Sequence, residues 1–369
     1  MREAAAEADR ERRLPERVAV AMARAGLYRV AAPATIGGSE QSPAEQIRVI
    51  ETISSGDGSA GWNLMIGIES FSLLGMAFAK RAECFADIDV IACSATSHTG
   101  VAEIVDGGCR VTGRWPFVSG CHNSAFFAGL VAVHEKGAPV AGRPPAWALV
   151  PRARFEILDT WDVSGMRGSG SHDVVLDGVF VPDEDLGEGA WSDANRGVEL
   201  PAVMRVPLGA RLAYNKTGVG FGIARAAIDA FVDLACGKTP FLSSTSLVER
   251  PFAQRAVAEA EARLRSARAL VFELTESLWD SVCAGRRVDA KTRALFHIAC
   301  SDAARACAEA VDRVAEAAGT SANRRGSPLE RCARDARVVR QHVTVAPHLI
   351  EDAGRVLLGL EPANVMLKL

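Results

Sequence analysis

Seven histidines and nine cysteines are the obvious candidates for metal, nucleophilic or acid–base chemistry in this 369-residue chain, and their spacing excludes most of it. His342 and His348 lie six apart, too far for a shared i, i+4 ligand face, and no other pair has metal-ligand spacing. His98 and His134 fall in or beside strand-and-turn sequence, His122 follows Ser119-Gly120-Cys121, and His172 follows Gly168-Ser169-Gly170-Ser171. His297, between Phe296 and Ile298, reads as partly buried structure, and Cys300 and Cys307 read as small residues packed in a helical bundle. An odd number of scattered cysteines indicates reduced thiols and a cytoplasmic protein. Gly218-Val219-Gly220-Phe221-Gly222 has no strand before it and suits helix packing better than a dinucleotide loop. Gly237-Lys238-Thr239 lacks the first glycine of a phosphate loop, where Val232 stands instead. There is no Gly-x-Ser-x-Gly elbow and no His-Glu-x-x-His zinc helix.

Two segments carry more. Arg114-Trp115-Pro116-Phe117-Val118-Ser119-Gly120 joins aromatic rings, a hydroxyl and a flexible turn at a strand end. Thr160 to Ser171 is a long loop rich in amide and hydroxyl donors, Ser169 and Ser171 among them. Apolar faces with convergent donors suit a flat, polar-edged ring bearing phosphates, although turn-rich β connections account for the same composition equally well.

The elements that must position these segments follow from composition and periodicity. Hydrophobic residues make up 49% and charged residues 24%, which excludes large-scale disorder. A net charge of −3 argues against a nucleic-acid protein. The first eighteen residues lack the apolar stretch of a signal peptide, and no run of about 18 apolar residues reads as a membrane span. Residues 1–87 read as an N-terminal helical domain. Within it Ser42-Pro43-Ala44-Glu45 starts one helix, and Gly56-Asp57-Gly58-Ser59 closes that helix and caps a strongly apolar one. Residues 88–190 read as a central β domain, with Asp106-Gly107-Gly108 as a hairpin and short polar turns that indicate an antiparallel barrel or sandwich. Pro182-Asp183-Glu184-Asp185 and the Gly-rich stretch after it read as an exit linker. Residues 200–369 read as a four-helix bundle, with helices near 212–236, 247–284, 290–318 and 328–358. The fold class expected is mainly α with a central β domain.

At the two chemical segments the sequence resembles the acyl-CoA dehydrogenase superfamily, and the resemblance runs along nearly the whole chain. Ala25-Gly26-Leu27-Tyr28 to Pro33 and Ile36-Gly37-Gly38 resemble the superfamily's opening signature, and Asp57 to Trp62 its stretch after the third helix. Ser327-Pro328-Leu329-Glu330-Arg331-Cys332-Ala333-Arg334-Asp335 is similar to its Arg-Asp helix start. Gly107 to Cys121, Trp161 to Ser171 and Val179-Phe180-Val181-Pro182 resemble one branch, the flavin-dependent monooxygenases that form the oxygenase component of two-component systems.

The resemblance implies N-terminal helices, a β domain and a four-helix bundle assembled as a homotetramer, with flavin between the β domain and the bundle. It places Trp115, Phe117, Ser119, Ser169 and Ser171 at the cofactor, with the Ser119 hydroxyl on the ring's central nitrogen. Arg250 and Phe252 match a pair that reaches the flavin of a neighbouring subunit. The dehydrogenases' Glu base is missing from Arg340-Gln341-His342-Val343-Thr344, with no carboxylate before Glu351, so α,β-dehydrogenation lacks its proton acceptor. His342 fits the monooxygenases' catalytic histidine, whose ordinary pKa of about 6.5 lets it take or give a proton near neutral pH. Phenol-hydroxylating relatives often carry another His where this chain has Gly67-Ile68-Glu69-Ser70, which leaves Glu69 as a substitute candidate. The implied activity is a monooxygenase fed FMNH2 or FADH2 by a separate NAD(P)H:flavin reductase. Molecular oxygen adds to the reduced ring as a hydroperoxide, and one oxygen atom passes to a small organic, aromatic or heteroatom-bearing substrate. An acyl-CoA dehydrogenase-like FAD enzyme with a relocated base and a non-catalytic subunit of the same fold are the competing readings.

Overall fold

The computed structural model describes residues 1–188 and 201–368. The first helices are α1 (Arg2–Glu11), α2 (Glu16–Arg24), α3 (Pro43–Ser54) and α4 (Gly58–Ala77). Ser42 Oγ accepts the Glu45 amide to start α3, and Asp57 accepts the Ala60 amide at 3.1 Å to start α4, where the sequence signals put them. Apolar on every face, α4 is buried along almost its whole length.

Eight strands follow: β1 (Ala92–Val105), β2 (Gly108–Val118), β3 (Phe126–Glu135), β4 (Ala138–Pro139), β5 (Ala146–Pro151), β6 (Glu156–Leu158), β7 (His172–Pro182) and β8 (Leu186–Glu188). They form one sheet in the order β6-β7-β2-β1-β3-β5-β8, with β4 paired to β3. Asp106-Gly107 makes the expected two-residue turn between β1 and β2, with Gly107 at φ 74°. The wholly antiparallel expectation needs correction, because β1 and β3 run parallel. The connection over residues 119–125 steps across the start of β1 and brings β3 to its other edge, so Phe126 pairs with Ala92. The exit-linker reading is also revised in part: Leu186–Glu188 is an edge strand on β5, while the rest of that stretch lies outside the described residues.

The central strands are buried on both faces. Ala128 and Leu130 of β3, with Trp147 and Leu149 of β5, join the core shared with the helices. Phe127, Val131, Ala148 and Val150 point into a second core around Trp115.

The C-terminal helices are α5 (Ala202–Arg205), α6 (Leu208–Gly237), α7 (Pro251–Cys283), α8 (Ala290–Ala318), α9 (Pro328–Val339), α10 (His348–Leu357) and α11 (Val365–Lys368). The fourth long helix expected from the sequence is thus two, α9 and α10. Pro347 explains the break: in a continuous helix its ring would press on the carbonyl of Val343, and it has no N–H to donate. His342 lies in this break rather than on a helix. No helix among the described residues is long and apolar enough to cross a membrane.

Candidate active site

β2 and β7 pair with Val118 opposite His172, so Ser119, which follows one strand, must meet Ser171, which precedes the other. Their hydroxyl oxygens are 2.7 Å apart, and Ser171 lies 2.7 Å from the hydroxyl of Ser169. From α4, the Trp62 indole N–H donates to Ser119 Oγ at 3.1 Å. All three serines are buried. An indole nitrogen can only donate, so it fills one acceptor site of Ser119. With protons directed from Ser169 to Ser171 to Ser119, the second acceptor site is filled too, and the Ser119 O–H is left to donate to a further group.

Phe117 stands beside this file of hydroxyls with its side chain 71% exposed and its backbone at φ 61°. That left-handed conformation is costly for a bulky residue, and such strain concentrates at binding sites. The β2–β7 register shifts between Trp115 and Val118 around it. Trp161 meets Phe117 edge to face, with centroids 6.1 Å apart. Strand alternation alone would put residues 115 and 117 on one face, and the kink at Phe117 separates them. Trp115 is therefore not a cofactor contact, which corrects the expectation. Its ring is wholly buried, donates to Leu130 O at 3.1 Å, and fills the space left by Gly100, Gly113 and Gly129.

The loop from Thr160 to Ser171 is fixed from several sides. His172 Nδ1 accepts the amides of Thr160 and Trp161, each at 3.2 Å. Trp161 Nε1 donates to Met166 O at 3.0 Å, and the Met166 amide donates to Asp335 at 2.6 Å. The loop's glycines serve packing rather than a ligand. A Cβ on Gly165 would lie 2.4 Å from Arg334 O, and one on Gly168 would lie 2.8 Å from Ala8. The Arg-Asp helix start is the hub of this arrangement. Arg334 pairs with Asp9 and Glu330 and donates to Ser164 O, while burial pushes Asp335 up to about 7.

His342 packs edge-on against Trp62, with centroids 5.3 Å apart. Its Nδ1 accepts the Thr344 amide and lies 2.9 Å from Thr344 Oγ1, which leaves Nε2 as the protonated nitrogen of a neutral ring. Burial, reinforced by the charge of Lys216, pulls His342 down to about 3. The expectation of an imidazole that ionises near neutral pH is thus revised: the ring is neutral there.

Glu69 is not a free base either. Both its oxygens are held by Lys216, at 2.6 and 2.7 Å, with the two side chains buried between α4 and α6. Burial pushes the Glu69 carboxyl up and the Lys216 ammonium down, while their mutual attraction opposes both. Glu351 is exposed on α10. Arg250 and Phe252 lie at the start of α7, where Arg250 donates to Thr245 Oγ1 and Phe252 is half-exposed. No hydrogen bond or ring contact among the described residues joins that pair to Ser119.

The structure thus brings Ser119, Ser169, Ser171, Phe117 and His342 together and excludes Trp115. Trp62 and Lys216 are the members that residue-type reasoning misses. A lone lysine in the otherwise uncharged stretch from Ala213 to Phe221 was the available signal.

The donor set fits a flavin ring: a hydroxyl free to turn its proton outward at a closed edge, a bare aromatic face beside it, and a neutral histidine across Trp62. A helical N-terminal region, a central mixed sheet and a helical bundle around such a site define an acyl-CoA dehydrogenase-like flavoprotein. Residues 1–80 match the acyl-CoA dehydrogenase N-terminal domain, and residues 217–347 match the acyl-CoA dehydrogenase C-terminal domain. The chain is 35% identical to an indole-3-acetate monooxygenase of Pseudomonas putida, over 96% of this chain and 90% of that protein. It is 28% identical to the oxygenase component of an FADH2-dependent resorcinol hydroxylase of Rhizobium sp. (strain MTP-10005), over 98% and 92%. Among solved structures, 3-HSA hydroxylase from Rhodococcus sp. RHA1 superposes with a TM-score of 0.87 at 27% identity, covering 99% of this chain and 95% of that one. The chain belongs to the acyl-CoA dehydrogenase family and, within it, to the flavin-dependent monooxygenases.

Proposed function

We propose that this flavin-dependent monooxygenase is an oxygenase component that receives FMNH2 or FADH2 from a separate NAD(P)H:flavin reductase and transfers one atom of molecular oxygen to a small aromatic substrate. The observation that carries the reading is the Trp62–Ser119–Ser171–Ser169 file, which, with its protons directed toward Ser119, leaves one O–H there for the cofactor beside the exposed Phe117 ring. Reduced flavin, when bound, supplies the two electrons that oxygen activation requires. Ser119 holds the ring edge by its one free donor, and Phe117 with Trp161 covers it and keeps water away. His342, neutral and donating a hydrogen bond from Nε2, steadies charge that develops on oxygen when the substrate is oxygenated. A dehydrogenase reaction is disfavoured because Glu351 is exposed and Glu69 is engaged by Lys216.

The same reading covers what the sequence expectations left open. Residues 1–87, 88–190 and 200–369 act as three domains of a cytoplasmic homotetramer, and Arg250 with Phe252 completes the flavin site of a neighbouring copy. A relative named for indole-3-acetate makes an electron-rich heteroaromatic ring the first substrate class to try. The test is turnover with reduced flavin under 18O2. One labelled atom should enter the product, and reduced flavin should bind more tightly than oxidised flavin. Bleaching of bound oxidised FAD by an acyl-CoA, with an enoyl-CoA product, would overturn the reading.

A further inference from the structure

Among the described residues, the buried region between α4 and α6 holds more positive charge than the carboxylate facing it neutralises. Arg211 and Lys216 bring two cations into the protein interior, and Glu69 is the carboxylate that faces them. Both Glu69 oxygens are taken by Lys216, and Asn215 adds a long contact at 3.5 Å. For Arg211, 7% exposed, the hydrogen-bond partner among the described residues is the neutral Ser72 hydroxyl. The nearby Tyr214 phenol donates to Gln46, and burial keeps it protonated, so it brings no negative charge.

The helix itself adds to this field. Arg211 sits in the first turn of α6, which has no acidic residue there and no side-chain cap. The positive end of the helix dipole thus carries a guanidinium instead of the anion it favours. A buried cation without a counter-charge is strongly unfavourable, and a guanidinium is matched in shape to a carboxylate. The cavity there is lined by Glu69, Ser72, Leu73, Arg211 and Asn215 and has about 10 Å³ of room, the space of about one water, so it admits at most the tip of a ligand.

Its place along α4 supplies the rest. Trp62, which holds Ser119, and Glu69, which lines the cavity, are seven residues apart, about 10 Å along the helix and close to one face. A substrate ring near Ser119 and His342 with a short side arm spans that distance. We propose that Arg211 is a specificity residue that receives a carboxylate on the substrate's side arm, so that the substrate is a small aromatic acid. This rests on the oxygenase reading for the position of the ring, but not for the binding of the anion.

The test compares indole-3-acetate, phenylacetate and their neutral amides on the flavin-loaded protein, by calorimetric titration and by 18O incorporation. At least one acid should bind ten-fold or more tightly than its amide. Arg211→Gln should weaken acid binding by 30-fold or more and leave the affinity for the amide within two-fold. As a second readout, Arg211→Met should melt no lower than the wild type without ligand, because it removes a buried charge whose hydrogen-bond partner among the described residues is neutral, and should lose the rise in melting temperature that the acid gives the wild type. Equal affinity for acids and amides, or no binding of any acid, would overturn the proposal, even if a neutral compound were oxygenated. Discrimination by Arg211 without any oxygenation would keep the anion site and sink the oxygenase reading instead.

Discussion

The Trp62 indole N–H reaches Ser119 Oγ at 3.1 Å and ties the most buried helix of the chain to the end of β2. It ends a series of hydroxyls that begins at Ser169, and because indole can only donate it occupies one of the two acceptor sites of Ser119. Ser119→Ala should leave Trp62 Nε1 and Ser171 short of a partner and destabilise the protein by about 1–3 kcal/mol. It should also raise hydrogen peroxide release at the expense of product several-fold. Ser169→Ala, at the far end, should cost less in both. Oxygen electrode and product assays on the two variants check this, and equal uncoupling would reduce the series to a structural feature.

His342 gives a pH prediction with a definite sign. Its folded pKa is depressed to about 3, below the unfolded value of about 6.5. The stability that a neutral ring contributes is therefore fully present above pH 6.5 and lost as pH falls toward 3. Melting temperatures of His342→Gln should fall less than those of the wild type between pH 7 and 4.5. In catalysis, His342→Ala should lower oxygen transfer by roughly 100-fold with flavin binding retained. Gln, which keeps an N–H donor, should restore part of that loss. A restoration equal to that by Leu would mean that the ring only fills space.

Much of this site was legible because sheet register converts sequence into proximity. Ser119 and Ser171 flank a strand pair, and the segments that carry them stood out by composition. Trp115 misled for a local reason: the left-handed backbone at Phe117 breaks the two-residue alternation, and no residue type announces it, since phenylalanine is an unusual choice there. The helical period placed α6, α7 and α8 well but ran through Val343 and Thr344, where Pro347 ends it. Pairing was the least visible property. Glu69 stood out as a candidate base, yet the lysine that neutralises it lies 147 residues away, and only packing of α4 on α6 brings them together.

That pair makes a stability prediction. Lys216→Met strands the Glu69 carboxylate in the interior and should cost about 3–5 kcal/mol. Replacing both, Glu69→Leu with Lys216→Met, should recover most of the loss, because two apolar side chains of similar size need no desolvation. Urea unfolding of the single and double variants measures the difference. A double variant as unstable as the single would show that the pair's value lies in its contacts with Asn215 and Arg211.

Asp335 moves in the opposite sense to His342. Burial and the nearby Asp57 raise its pKa to about 7, and the Met166 amide and the charges of Arg334 and Arg331 only partly offset them. With the folded value above the unfolded one of about 3.9, the stability from this group is complete below pH 3.9 and lost as pH rises through 7. Asp335→Asn keeps an oxygen for the Met166 amide but cannot ionise. Its melting temperature relative to the wild type should thus rise between pH 5.5 and 8.5. A constant difference would show that Asp335 is already ionised in the folded protein and held by Arg334.

The placement of Arg250 and Phe252 at the start of α7, with no hydrogen bond or ring contact to the Ser119 file among the described residues, gives the last prediction. If they complete a neighbour's flavin site, the protein must be an oligomer whenever it binds flavin well. Sedimentation should show a tetramer. Arg250→Ala should weaken binding of reduced flavin by about ten-fold, the loss expected when one charge-assisted hydrogen bond to an anionic group is removed. Because the Arg250 side chain bonds to Thr245 on an exposed surface and to no other group among the described residues, the melting temperature should stay close to the wild-type value. Mixing decides whether the contribution crosses between chains. Arg250→Ala subunits assembled with Ser119→Ala subunits should regain some sites in which both residues are intact, and coupled oxygenation should reappear in the mixture. A mixture no more active than either parent, or a monomer with undiminished flavin affinity, would confine the site to one chain.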